Sequence, residues 1–320
     1  STASTALSTN TPTANYALTD KLNVFNQLNA DRLRCGFGSV QQNLKLDVAA
    51  QGHADYLALN NVTVGHTQTV GSPGFTGATI ADRFTAAGYQ YSFGSEVVGI
   101  KAYGTWYSSN NTSPYPYSAT TASAMNSFRV LYATVYHLIG LMDGQRDMGI
   151  GVSTRDTSGG GYTSALKLVV IDQGTQTGQA NQQFASDAVQ TFPCEGISGL
   201  RPLFGSESPD PFPNVDHNTT AYGQPVYVTT APGTTVTLST GTITLRGGNA
   251  VPTTQLTRAN DPQREILSNQ VLLFPTVGLA SNATYDVLLI GTNTGLVTPT
   301  NPTGSFTRSF SFQTGTYTSD

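Results

Sequence analysis

The chain has 320 residues, a formal net charge of −4, 38% hydrophobic residues and only 11% charged ones. With no basic run it has nothing to neutralise a phosphate backbone, which excludes a nucleic-acid partner, and no apolar run reaches the ~18 to 20 residues that cross a bilayer as a helix. The length suits two ordinary domains, and a charged fraction well below the ~25% usual in soluble proteins, made up with Thr, Ser, Asn, Gln and Gly, suits a secreted surface.

Residues 1–16 are a Ser/Thr/Ala/Asn-rich stretch without period, expected to be a disordered tail. Leu18, Leu22, Phe25 and Leu28 predict a helix from about Thr19 to Arg34, with Gly36 as a left-handed stop. Leu46, Ala49, Ala50, His53 and Leu57 fall on one face of a second helix, for which Asp47 is the expected N-cap. His53 on that apolar face reads as a packed, hydrogen-bonded core group. His66 lies beyond the helix in a polar loop, where it has no packing duty and can face a ligand.

A short third helix is predicted from Thr79 as N-cap to a stop at Gly88, then a strand over 96–103 with Glu96 at its mouth. A polar, proline-broken loop at 108–116 precedes a helix over 119–135, with His137 just past its end. Segments 148–154 and 164–172 alternate like strands and form a hairpin around the glycine-rich turn at 157–162. Domain bounds follow at 17–192 for this α+β part, 193–222 for a Pro/Gly-rich linker and 223–316 for an all-β part. Its short strands, at 226–230, 235–240, 242–247, 271–277, 284–292 and 305–315, suggest a small β-sandwich. The two cysteines, Cys35 and Cys194, allow one bridge, and neither has a second cysteine or histidine at metal-ligand spacing.

Several ordered pieces resemble the CAP superfamily (the cysteine-rich secretory, antigen 5 and pathogenesis-related 1 group) in its bacterial form. They are Leu28-Asn29-x-x-Arg32, Leu46-Asp47-x-Ala49-Ala50-x-x-His53-Ala54-x-Tyr56-Leu57, His66-Thr67-Gln68, Pro73-Gly74-Phe75-Thr76-Gly77-x-Thr79, Asp82-Arg83, Ala87-Gly88-Tyr89, Ser95-Glu96, Tyr136-His137 and Gly149-x-Gly151-Val152. The likeness covers about residues 17–175 and implies a three-layer α-β-α sandwich whose open cleft gathers His66, Glu96 and His137. Related proteins hold a divalent metal between the two histidines. A second acidic residue is usual in the family site; none is matched here, and Gln68 stands where many bacterial relatives carry Glu. The tail, through Leu279 to Tyr285 and a closing strand at Phe310 to Gly315, is similar to bacterial immunoglobulin-like modules, which space or present a neighbour at a cell surface.

Without the resemblance, His137 reads equally as a cation at a helix C-terminus or as a ligand, and Glu96 as a strand-end carboxylate in solvent. With it, His66 and His137 become the expected ligands of a divalent ion (Zn, Mg or Ca, not needed for the fold). Glu96 and Gln68 stand behind them, and Glu96 is the candidate catalytic group. Cys35 and Cys194 flank the two ends of the CAP-like core and are expected to form a disulfide. The start at Ser1 is compatible with a removed signal peptide or merely with a trimmed start. The preferred function is a monomeric, secreted binding or interaction module, extracellular, at the cell surface or in a periplasm, which engages a surface component or a small apolar ligand. The alternative is a metal-assisted extracellular hydrolase acting on peptides, disfavoured by the incomplete acidic set.

Overall fold

The computed structural model describes residues 3–62, 65–104, 123–157, 164–217 and 219–316. Over these the chain is a mixed α+β protein with five α-helices and three sheets. The expected loop at 108–116, the first residues of the expected 119–135 helix and most of the 157–162 turn lie outside the described residues.

Helix α1 (Thr19–Arg34) buries Val24, Phe25 and Leu28 and is followed by Gly36 at φ +76°, the left-handed stop that glycine takes most easily. Helix α2 (Leu44–Leu59) starts one turn earlier than expected. Asn43 is its N-cap, accepting from the Lys45 N–H, while Asp47 accepts from the Tyr16 hydroxyl at 2.7 Å and the Ile150 N–H at 2.9 Å. The carboxylate serves as a tertiary clamp because Asn43 already satisfies the helix end. Helix α3 (Ile80–Ala86) opens with a capping box in which Thr79 and Asp82 satisfy each other's backbone donors.

The first sheet runs β1-β3-β4-β2, with β1 (Gln41–Gln42), β2 (Tyr91–Gly104), β3 (Asp147–Asp156) and β4 (Ser164–Gln176). β4 pairs antiparallel with both β2 and β3, and β1 pairs parallel with β3. The period of two sends Val98, Leu168 and Val170 to α2, against Ala50, Ala54 and Leu57. Val97, Val169 and Ile171 join the cluster of α1 residues on the other side, so helices cover both faces. A Cβ on Gly149 or Gly151 would collide with the α2 backbone at Leu46 and Ala50, so these glycines set how closely α2 approaches β3. Because β2 is 14 residues long, Glu96 lies inside the strand, paired across the ladder with Asp172 and not at a strand mouth.

The expected helix over 119–135 is two helices, α4 (Ala124–Tyr132) and α5 (Tyr136–Met142). No glycine or proline marks the break. It is made by the Glu207 carboxylate, which accepts from the Val135 N–H and, at 3.0 Å, from the Tyr136 N–H, starting a new helix with a cap 71 residues away. His137 therefore sits in the first turn of α5, which removes the reading as a cation at a helix C-terminus.

The remaining strands are β5 (Val189–Phe192), β6 (Ile197–Leu200), β7 (Val226–Thr230), β8 (Val236–Leu245), β9 (Ala250–Val251), β10 (Thr253–Thr257), β11 (Gln270–Pro275), β12 (Thr284–Asn293) and β13 (Ser305–Thr314). They make sheets β10-β11-β7-β5 and β6-β13-β12-β8-β9. The strands expected at 235–240 and 242–247 are the single β8. The bounds at 192 and 193–222 shift as well: β5 pairs with β7 and β6 with β13, so the sheets of the second half begin before Pro193. Four-residue strands beside a proline carry too little alternation to be seen in sequence.

One buried cluster runs from Val24 and Phe25 of α1 through Phe128 and Phe192 to Phe274 and Phe312, so the two halves share a core. Phe37 stacks on Tyr227 at 6.4 Å, Tyr132 meets Phe192 at 4.5 Å, and Gln224 donates to the Tyr132 carbonyl at 2.6 Å. Cys35, at the end of α1, is bridged to Cys194, between β5 and β6, with 5.5 Å between Cα atoms. Residues 3–16 have no helix or strand, yet they are pinned: the Ser8 N–H donates to Gln182 and the Gln183 N–H to the Thr5 carbonyl. Those partners lie more than 170 residues away, which is why composition alone pointed to a loose tail.

The shared core predicts that residues 17–192 expressed alone give no cooperative melt, since Phe37, Tyr132 and Phe192 would lose their cover. Thermal unfolding followed by near-ultraviolet circular dichroism reads this directly. The bridge closes a loop of 159 residues; by the loop-entropy argument, replacing both cysteines with serine should cost about 5 kcal/mol in denaturant unfolding. The unfolded, unreduced wild type should titrate with no free thiol.

Candidate ligand and metal cleft

A cleft of about 680 Å³ is lined by Val98, Ile100, Lys101 and Ala102 of β2. His66 and Gly65 form one side of it. Thr134 and His137, at the turn between α4 and α5, and Glu207 with Tyr222 from the 193–222 segment form the other. His66 and His137, 71 positions apart in sequence, therefore line the same space. Glu96 lies behind His66, and Gln68 lies deeper still.

On the α2 side of β2 the Glu96 carboxylate is sealed from solvent. Its Oε2 accepts from Arg83 at 2.6 Å and its Oε1 from His66 Nδ1 at 2.9 Å. Burial pushes the carboxyl up, but the His66 hydrogen bond and the neighbouring His53, Arg83 and His66 side chains outweigh it and hold Glu96 below the usual carboxylate range. An ionised carboxylate only accepts, so His66 carries a proton on Nδ1, and in the neutral ring Nε2 is then the lone pair. The other Arg83 branch donates to the His66 carbonyl at 3.0 Å, so one guanidinium fixes both the carboxylate and the loop that carries the histidine.

His53 is fully buried and takes no part in the cleft surface. Its Nε2 donates to the Gly65 carbonyl at 2.9 Å, and its Nδ1 accepts from Gln68 at 3.0 Å. Burial lowers its pKa, with Arg83 and His66 adding to that against the charge of Glu96, so it is neutral. Gln68 also accepts from the Thr76 N–H at 2.7 Å. It thus holds His53 and the 65–76 loop in place, and bonds neither cleft histidine.

His137 is held by a second carboxylate that sequence reasoning missed. Its Nδ1 lies 3.1 Å from Glu207 Oε2 and 3.2 Å from Thr134 Oγ1. The Thr134 hydroxyl already donates to the Leu131 carbonyl at 2.7 Å, so both neighbours accept and Nδ1 is the donor. In its neutral form His137 likewise presents Nε2 as the lone pair. Glu207 was invisible because it sits in SESP within the proline-dense 193–222 stretch, where no periodicity assigns it a face. Arg83 had been matched only as part of a motif.

With Nδ1–H donated to Glu96 in His66, and to Thr134 beside the Glu207 carboxylate in His137, the neutral ring of each presents Nε2 as its lone pair, the arrangement that orients a metal-ligating imidazole. Among the described residues no three His, Cys, Asp or Glu side chains are grouped to hold an ion. The donor set fits an ion with two protein ligands and open positions, and not a closed structural site. Neither family models nor curated proteins match the chain.

Asp172, wholly buried and opposite Glu96 in the ladder, completes the electrostatics. Burial and then the charge of Glu96 push its carboxyl well above the usual range, the direction that favours a single negative charge on the pair. A carboxyl raised on folding binds an extra proton in the folded state, so it costs stability as pH rises from ~3.9, the ordinary aspartate value, through its raised value. Asp172→Asn, which needs no proton, should therefore melt a few degrees higher than the wild type at pH 7. The difference should vanish near pH 3. An equal shift at both pH values would disprove the neutral Asp172.

Proposed function

We propose that the chain is a secreted binding module of the CAP kind, a three-layer α-β-α sandwich followed by an immunoglobulin-like β-sandwich, whose cleft holds a divalent metal ion between Nε2 of His66 and Nε2 of His137. The observation that carries this reading is the pair of carboxylate-backed histidines on one cleft, Glu96 behind His66 and Glu207 behind His137. Helices on both faces of the first sheet, the two sheets that follow and the order of the matched segments support it. A disulfide suits an oxidising, extracellular setting. Imidazole donors favour Zn²⁺ over Mg²⁺ or Ca²⁺. A bound zinc would supply Lewis acidity and lower the pKa of a water molecule at an open position.

The hydrolase reading gains one point from Glu207, the second acidic residue that the sequence did not reveal. Yet Glu207 is committed to the first turn of α5 and to His137, and Glu96 to Arg83 and His66. Neither carboxylate is free to accept a proton from a nucleophilic water, so binding remains the better supported function.

Calorimetric titration with zinc should show one site in the wild type and none in His66→Ala or His137→Ala. Glu96→Gln and Glu207→Gln should each weaken binding by roughly 10- to 100-fold. His53→Ala should keep the site and lower the melting temperature, because it empties a packed, hydrogen-bonded position. Affinity should fall in acid, where the imidazoles protonate. Undiminished binding by the double histidine variant refutes the site.

A further inference from the structure

The sheet β6-β13-β12-β8-β9 packs on the core by one face. Ile243 of β8, Val287 and Leu289 of β12 and Phe312 of β13 are buried, so the residues between them point outwards. The ladders set these outward residues in rows: Asp286 lies between Thr244 and Ser311, Leu288 between Thr242 and Ser309, and Ile290 between Thr240 and Thr307. An apolar strip, Leu288 and Ile290, therefore runs between two rails of hydroxyl groups. With strands ~4.8 Å apart the rails stand about 10 Å from each other, and the three rows extend about 14 Å along the strands.

A groove of about 650 Å³ lies over this face, lined by Thr242 and Thr244 on one rail, Ser309 and Ser311 on the other, and Leu288 between them. Among the described residues, the hydroxyls of Thr240, Thr242, Thr244, Thr307 and Ser309 make no hydrogen bond. Each can both donate and accept, and such short side chains lose little freedom when a ligand holds them. The charged side chains at the groove are Glu195, Arg246 and Asp286. Arg246 pairs with Asp286, and Glu195 accepts from the Ser311 N–H at 2.7 Å and from its hydroxyl at 3.1 Å. One paired cation against two carboxylates leaves nothing to attract an acidic ligand, and both carboxylates are already bonded, so the groove complements an uncharged one.

We infer that this groove binds an uncharged polysaccharide, one chain of which lies along β12. A sugar ring carries C–H groups on its faces and hydroxyls around its rim, so Leu288 and Ile290 cover a face while the two rails exchange hydrogen bonds with the rim. The apolar strip supplies affinity by leaving water. The rails supply selectivity, because a ligand without a rim of hydroxyls would strip them of water and leave them unpaired. The groove is separate from the histidine cleft, and the inference does not rest on the metal.

The test incubates the full chain with insoluble cellulose, chitin and mannan, and with cross-linked polygalacturonate as the acidic control, and reads depletion from solution with excess chelator and again with zinc. Saturable retention by at least one neutral polymer, equal in both conditions, and none by polygalacturonate is expected. Thr242→Val/Ser309→Ala, which removes one hydroxyl from each rail, should bind at least tenfold more weakly. So should Leu288→Thr/Ile290→Thr, which removes the apolar strip; both pairs of sites face solvent, and an unchanged melting temperature shows that each variant folds. Retention by none of the neutral polymers, or stronger retention by polygalacturonate, overturns the inference. Undiminished retention of both variants overturns the groove as the site. Concentration-dependent dimerisation without retention, abolished by Leu288→Lys, overturns the inference and assigns the face to a second copy of the chain.

Discussion

The buried charge of Glu96 is the constraint around which the first half is arranged. A carboxylate sealed inside a sheet costs several kcal/mol of lost hydration unless it is paired and hydrogen-bonded. Arg83 comes from α3 to meet one oxygen, and His66 comes from the following loop of α2 to meet the other. Burial and the Glu96 charge push the opposite carboxyl, Asp172, well above the usual range, which disfavours a second like charge facing the first. His53 and Gln68 then secure the loop that carries His66, through the Gly65 carbonyl and Thr76. A histidine that looks like a surface ligand is therefore the outermost member of a chain of buried polar contacts. That chain fixes its tautomer.

Glu207 does comparable work for the other histidine by a different route. It satisfies the exposed N–H groups at the start of α5, and the same carboxylate orients His137. The residue lies beyond Cys194, so the cleft is complete only when the chain has left the first sheet, formed β5 and β6 and folded back. The disulfide joins the start of that return to the end of α1. Tyr136 adds a hydrogen bond to Asp261 at 2.6 Å, well inside the second half. The β-rich half is thus part of the site's support and not a separate spacer.

What was legible in sequence followed from local physics. Helical period marked α1 and α2, Thr79 as an N-cap residue marked the start of α3, and β-branched alternation marked β3, β4, β7 and β12. What was not legible depended on distant partners. Nothing near Val135 announces a helix break, because the cap comes from Glu207. Nothing near Glu96 announces burial, because the compensating charge comes from Arg83. Asn43 took the cap that Asp47 was expected to make, leaving Asp47 to bond Tyr16 and Ile150. The 193–222 stretch reads as a linker because prolines interrupt any period, although it walls the cleft and carries a residue of the site. Both histidines could be named from the chain; the carboxylate behind His137 needed the fold.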